Sequence, residues 1–203
     1  MQHLDKQLPV YIVDDDLAAC ESLAVMLEDY EFNVSAFTDS INFLDTLDFN
    51  SSGCVILDSR MPRLNGQQLQ QCLLDQSSPL SVIFLTGYGD VPMAVEALQT
   101  GATHFFQKPV QAEALIPAIE DALLRSVVER QKQQLQVAFE SLTARELDIL
   151  KLLISGYRNL HIANKLCIAV RTVEVHRASL MKKLDANTIA ELAFRYGRIN
   201  KNL

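Results

Sequence analysis

Long apolar runs are missing from this sequence. No stretch approaches the roughly 18 residues that a membrane helix requires, and Met1–Pro9 is too polar for a secretory signal. The expectation is a soluble, cytoplasmic chain with no membrane partner. Cysteine is scarce: Cys20, Cys54, Cys72 and Cys167 lie far apart, with no C-x-x-C pair and no zinc spacing. Their apolar surroundings predict four reduced, buried thiols and give no disulfide framework. His3, His104, His161 and His176 form no ligand pattern either. Positive charge is also short, with 18 basic against 25 acidic side chains and a net charge of −7 over 203 residues. Taken whole, that balance argues against a nucleic-acid partner. Its distribution argues the opposite. Residues 1–138 carry 7 basic and 19 acidic side chains, whereas residues 139–203 carry 11 and 6. Such asymmetry points to two jobs on one chain.

What is present divides the same way. The first 125 residues alternate β-rich runs with helical patterns. Val10–Val13, Asn33–Phe37, Cys54–Leu57, Ser81–Thr86 and Thr103–Gln107 read as strands, several almost wholly apolar, as suits strands covered on both faces. Leu17–Tyr30, Ser40–Leu47, Gly66–Asp75 and Val91–Thr100 read as helices, with Leu23, Met26, Leu27 and Tyr30 forming a stripe in the first. Gly101 is the expected C-cap of the fourth. The alternation predicts a doubly wound, five-stranded parallel sheet with its site at the carboxyl ends of the strands.

A helical stretch follows from about Gln111, where Pro117 is expected to bend or weaken it, and Ser126–Gln136 reads as an exposed helical linker. From Leu142 the pattern is purely helical. Thr143 and Glu146 fit a capping box, Leu147, Leu150, Leu153 and Ile154 a buried stripe, and Gly156 a stop. A short helix at Asn159–Leu166, a turn and a longer helix from about Val170 to Leu184 read as a helix-turn-helix, and Thr188 with Glu191 as a second capping box. The domains expected are therefore 1–125, a linker at 126–138, and an all-α unit at 139–203.

Asp14, Asp15 and Asp16 follow the first strand, Asp58 the third, Thr86 ends the fourth and Lys108 follows the fifth. In a doubly wound sheet these ends converge. Clustered carboxylates need a cation, and Mg2+, which prefers oxygen ligands, is the natural one. A carboxylate beside such an ion can attack phosphorus, with Thr86 and Lys108 holding the phosphoryl oxygens. Singly, each aspartate reads more readily as a helix cap or loop start; together, at the ends of one sheet, they read as a site.

The motifs VDDD, LDSRMPRLNG, FLTGYGDVPMAVEALQTGA and FFQKP resemble the receiver domain of two-component response regulators, of the FixJ-like branch, over residues 8–125. The resemblance implies that Asp58 accepts phosphate from a sensor histidine kinase. It implies that Asp15 binds Mg2+ directly, Asp14 through water, and the Arg60 backbone carbonyl completes the protein ligands. Thr86 and Lys108 become the switch hydroxyl and the lysine at the phosphoryl group. Phe105 stands at the aromatic switch position, where it reads equally as an ordinary core residue. Arg60 and Tyr88, each two residues past a site residue, are expected to flank the phosphoryl group and impede water, or else to be solvated loop residues.

In the helix from Val170, Val173, Leu180 and Leu184 share the core stripe, while Arg171, Glu174, Val175, Ala178 and Lys182 fall on the opposite face. Arg171, Arg177, Lys182 and Lys183 supply cations for phosphates, while Glu174, Val175 and Ala178 suit base edges. With Thr172 these make the expected surface for double-stranded DNA. The stretch from Leu142 to Leu184 resembles the LuxR-type helix-turn-helix of the FixJ and NarL groups. It departs at Leu160, where those proteins commonly have lysine, and at Ala169, where they commonly have a hydroxyl. The resemblance implies a phosphorylation-activated transcription regulator. Movement of Thr86 is expected to reshape a surface that includes Val91, Met93, Glu96 and Phe105, which then dimerises so that two recognition helices meet paired promoter half-sites, with RNA polymerase a further partner. An enzyme is not expected. A Mg2+-dependent phosphohydrolase would need a general acid or base and a substrate pocket, for which no candidate stands out. A helix-turn-helix that binds only protein is the other rival, and salt-dependent binding to DNA separates it.

Overall fold

The computed structural model describes residues 7–87 and 91–200, the side chains of Val91 and Asn200 excepted. Two compact units divide between Arg130 and Gln131. In the first, β1 (Pro9–Val13), β2 (Asn33–Phe37), β3 (Cys54–Leu57), β4 (Ser81–Thr86) and β5 (His104–Gln107) form a parallel sheet in the order β2-β1-β3-β4-β5. Between the strands run α1 (Leu17–Asp29), α2 (Ser40–Thr46), α3 (Gly66–Asp75) and α4 (Val91–Gln99). Strand order reverses between β1 and β3, so a crevice is expected above their carboxyl ends.

The period of two sorts each central strand between two cores. Val10, Ile12, Cys54, Ile56, Ile83 and Leu85 pack with Leu27 of α1 and with Leu115 and Ile119 further on. Val13, Val55, Leu57, Val82 and Phe84 face the other way, against Phe43 of α2, Leu69 and Leu73 of α3 and Ala97 of α4. Burying each such side chain contributes about 1.5–3 kcal/mol. Gly101 and Gly156 lie just past helix ends at positive φ, as expected. Tyr30, expected in the α1 stripe, is its C-cap and is exposed.

Other expectations change as well. The long helix and the linker are one element, α5 (Ala112–Glu140), which runs unbroken through Pro117. Pro117 is exposed, so the carbonyl it leaves without an amide partner can meet water. Ser126, expected in an exposed linker, is fully buried and its hydroxyl accepts from the Gly53 amide at 2.8 Å. Only Cys20 and Cys54 are buried thiols; Cys72 is half-buried, and Cys167 is exposed at a left-handed C-cap (φ 52°).

The second unit contains the end of α5 with α6 (Ala144–Ile154), α7 (Asn159–Leu166), α8 (Val170–Lys183) and α9 (Ile189–Asn200). α6 buries two faces. Ile149 and Leu153 pack with Ile162 of α7 and Val173 of α8, while Leu150 packs with Leu180, Leu184 and Leu192. The single stripe expected for α6 missed Ile149 because this helix has neighbours on two sides. At α9 the Thr188 hydroxyl accepts from the Glu191 amide, but the Glu191 carboxylate accepts from Asn187 N–H, so that box is displaced by one residue.

Candidate functional site

The parallel register sets the site. Val13 is paired with Leu57, so Asp14 and Asp58, the next residues, emerge side by side. The Asp58 amide donates to Val13 O at 2.9 Å and the Lys108 amide to Thr86 O at 2.9 Å, which extends the β1–β3 and β4–β5 pairings past the strand ends, while Leu57 is paired with Phe84 between β3 and β4. The three aspartates after β1 divide their work. Asp16 caps α1, accepting from the amides of Ala18 and Ala19. Carboxylate oxygens of Asp14, Asp15 and Asp58 come within 4.8 Å of one another, with Asp14 and Asp58 buried and Asp15 exposed.

Lys108 closes the cluster. Its Nζ donates to Asp14 Oδ2 and stands 3.8 Å from Asp58 Oδ1. Burial pushes the Asp58 carboxyl above its ordinary value; the Lys108 ammonium opposes this and the Asp14 charge adds to it. Burial pulls Lys108 down, but its hydrogen bond to Asp14 and the carboxylate charges prevail, and its value is raised. The Arg60 amide donates to Asp58 Oδ2 at 3.2 Å, whereas buried Asp58 Oδ1 has no hydrogen-bond donor. An orphaned carboxylate oxygen beside two more carboxylates suits a hard divalent cation such as Mg2+.

Two residues here were not anticipated. Ser59 is buried with its hydroxyl 2.6 Å from that of Thr86. Gly66 opens α3 against the same loop: a Cβ there would lie 2.4 Å from Asp58 O and 2.7 Å from Phe84 Cε1. Both depend on β3 and β4 being neighbours, which local pattern does not announce. Phe105 is half-buried, its ring stacked on Phe84 with centroids 6.1 Å apart. Tyr88 lies outside the described residues, as does the side chain of Val91. On α4, Met93 is half-buried and Glu96 exposed; Val95 and Leu98, not singled out from sequence, are the large apolar residues exposed there.

In the second unit, Val173, Leu180 and Leu184 are buried, and Arg171, Thr172, Glu174, Val175, Ala178 and Lys182 share the exposed side of α8. Arg171 lies 3.4 Å from Glu174 one turn away. Two expected DNA cations are engaged elsewhere. Arg177 is half-buried and donates to Asn159 Oδ1 at 3.3 Å. Lys183 turns inward: its Nζ lies 2.8 Å from the buried Glu146 carboxylate and 3.0 Å from Ser141 O. A buried carboxylate demands a cation, and Lys183 supplies it to Glu146. Ala169, the N-cap of α8, makes no side-chain cap bond.

Comparison with known proteins agrees with the division. Residues 10–120 match the family described as the response regulator receiver domain, and residues 140–195 that described as bacterial regulatory proteins of the luxR family. The chain is 40% identical to the tetrathionate response regulatory protein TtrR of Salmonella typhimurium, over 94% of this chain and 92% of that protein. It is 39% identical to the transcriptional regulatory protein FixJ of Bradyrhizobium diazoefficiens, over 94% and 97%. Among solved structures, the response regulator StyR superposes with a TM-score of 0.73 at 38% identity, covering 95% of this chain and 99% of that one. Full-length FixJ from B. japonicum superposes at 0.58 and 38% identity, over 95% and 97%.

Proposed function

The chain belongs to the two-component response regulators with a LuxR-type output domain, transcriptional regulators whose two domains imply a kinase and DNA as partners, and on that footing we propose that phosphorylation of Asp58 governs its DNA binding. An oxygen of Asp58 attacks the phosphorus of a kinase phosphohistidine, the phosphorus–nitrogen bond breaks, and the imidazole leaves. Asp14, Asp15, Asp58 and the Arg60 carbonyl would hold Mg2+, and that ion would supply positive charge to screen the carboxylates from the incoming phosphoryl oxygens. Lys108, already beside Asp14 and Asp58, neutralises part of the added charge. Thr86 supplies a hydroxyl to the phosphoryl group and gives up its present bond with Ser59 to do so. Phe105, half-buried on Phe84, follows Thr86 and alters the α4–β5 surface. Val95 and Leu98, with Glu96, then meet a second copy, which brings two α8 helices to paired DNA half-sites.

The observation that carries this reading is the buried Asp58 oxygen without a hydrogen-bond donor, beside two carboxylates and a lysine. The protein acts in the cytoplasm as a phosphoryl acceptor, turns over no substrate of its own, and reaches RNA polymerase from the promoter. Intact-mass measurement after incubation with a small phosphodonor and Mg2+ tests it. One phosphoryl group is expected on the wild type and none on Asp58→Asn or after chelation. A modification that persists in Asp58→Asn would refute the assignment.

A further inference from the structure

Phosphoryl acceptance does not account for the polar cluster at the start of α6. Glu146 is a carboxylate with a side chain only 4% exposed. Its Oε2 accepts from the Thr143 amide at 2.8 Å, the Thr143 hydroxyl at 3.0 Å and Lys183 Nζ at 2.8 Å; its Oε1 accepts from the Ser179 hydroxyl at 2.7 Å. Burial pushes this carboxyl up, yet Lys183, Thr143 and Ser179 outweigh it and hold the group at about 2. It stays ionised.

A capping box requires only the Thr143 amide on the Glu146 carboxylate and the Glu146 amide on the Thr143 hydroxyl, the latter at 3.2 Å. The Glu146 carboxylate also reaches α8, at Ser179 and Lys183, one helical turn apart. A buried ion pair is seldom the most stable solution, since apolar residues of similar volume often do as well. Its geometry nonetheless specifies an orientation. Two anchors one turn apart fix both the rotation of α8 about its axis and its position along it. That rotation decides where Arg171, Glu174, Val175, Ala178 and Lys182 point. The neighbouring Arg145 donates from Nη2 to Leu166 O at 2.8 Å, so the same first turn of α6 also grips the end of α7. Lys183 Nζ, through Ser141 O at 3.0 Å, ties α8 to the residue that follows α5.

We propose that Glu146 is a positioning residue for DNA readout, which through Ser179 and Lys183 sets the rotation of α8 that presents its exposed face to the bases. This rests on the reading of the second unit as DNA-binding. Lys183 accordingly acts from inside the unit and touches no phosphate.

The test uses the full chain as wild type, Glu146→Gln, Lys183→Met, the double variant, Ser179→Ala and, as a phosphate-contact control, Arg171→Gln. Circular dichroism compares their helix content. The probes are a duplex that the wild type selects from a random pool and a shuffled duplex of the same composition. Affinities are read by fluorescence anisotropy between about 50 and 200 mM salt. Each single change at Glu146 or Lys183 is expected to lower affinity for the selected duplex by about tenfold, with little effect on the shuffled one. The double variant is expected to be no worse than either single, because the two act as one unit. The slope of log affinity against log salt should stay at the wild-type value for Lys183→Met and fall by about 0.9 for Arg171→Gln. If Glu146→Gln unfolds, Ser179→Ala carries the comparison and must still reduce the preference for the selected duplex. A salt slope that falls by about 0.9 in Lys183→Met, with effects that multiply in the double variant, would make Lys183 a phosphate contact and overturn the proposal. So would an unchanged preference in every folded variant. Failure of the wild type to select any duplex, with or without a small phosphodonor and Mg2+, would instead remove the DNA-binding reading beneath it.

Discussion

At the scale of single residues, the acidic site shows how far a side chain's role follows from its place in the chain. Asp14 and Asp58 could be found because each comes directly after an apolar strand, and strand ends converge in a doubly wound sheet. Asp16 stands directly before the helix start expected at Leu17 and takes the cap, accepting from the amides of Ala18 and Ala19. Gly66 illustrates the opposite case, a residue whose importance lies in what it lacks. Gly66→Ala would place a Cβ 2.4 Å from Asp58 O, a backbone atom with little room to yield. The expected cost is about 1–3 kcal/mol, as for overpacking. Hydrogen exchange of peptides covering β3 and the following loop should rise, and phosphoryl incorporation at Asp58 should fall. Unchanged exchange in that segment would show that the approach relaxes freely. Glu146 gives a pH prediction with a definite sign. Its folded value, about 2, lies below the ordinary 4.5, so its contribution is present above about 4.5 and is lost as pH falls toward 2. Acid unfolding of the second unit should therefore steepen across that window, and Glu146→Gln should flatten it. An identical acid profile in the variant would mean that other carboxylates govern the transition.

At the scale of elements, the strands were legible almost to the residue, because β1, β3 and β4 are continuous apolar runs bounded by polar or turn residues. Helix α5 was legible as helical but not as one piece. A proline and a shift to glutamine look like interruptions, yet Pro117 is exposed and no residue between 112 and 140 breaks the helix. Ser126 escaped for a different reason, since its partner, Gly53, lies 73 positions away. Tertiary pairs at such separations leave no periodic trace. The same applies to the pairing of Lys183 with Glu146, whose partners lie 37 positions apart. Helix α8 begins with a local weakness that can be tested. Ala169 has cap geometry, φ −70° and ψ 148°, but no side chain to satisfy the first amides. Ala169→Ser should supply that acceptor and stabilise the unit by about 1 kcal/mol. For a domain of this size that corresponds to a melting shift of about 4–8 °C, readable by calorimetry in the transition of the second unit. A shift near zero would indicate that solvent already satisfies those amides.

At the scale of the whole molecule, two units with separate cores carry opposite charge, and this yields a prediction in which sign alone discriminates. Residues 1–130 hold 19 acidic and 6 basic side chains, whereas residues 131–203 hold 6 and 12. A phosphoryl group on Asp58 carries roughly −1.5 to −2 but takes the place of the carboxylate's −1, so the acidic part gains about −0.5 to −1. If electrostatics alone connected the phosphoryl group to DNA, phosphorylation would weaken binding, most at low salt, where screening is least. If phosphorylation instead pairs two chains, each half-site receives its own α8 and the number of phosphates neutralised roughly doubles. The slope of log affinity against log salt then steepens in proportion, at about 0.9 per phosphate contacted. The expected outcome is tighter binding on phosphorylation, with a slope close to twice that of the unphosphorylated chain, and loss of both effects in Asp58→Asn. Anisotropy titrations over about 50–200 mM salt, with parallel sedimentation to report the oligomer, measure this directly. Tighter binding with an unchanged slope and a persistent monomer would rule out pairing and require a change within a single chain.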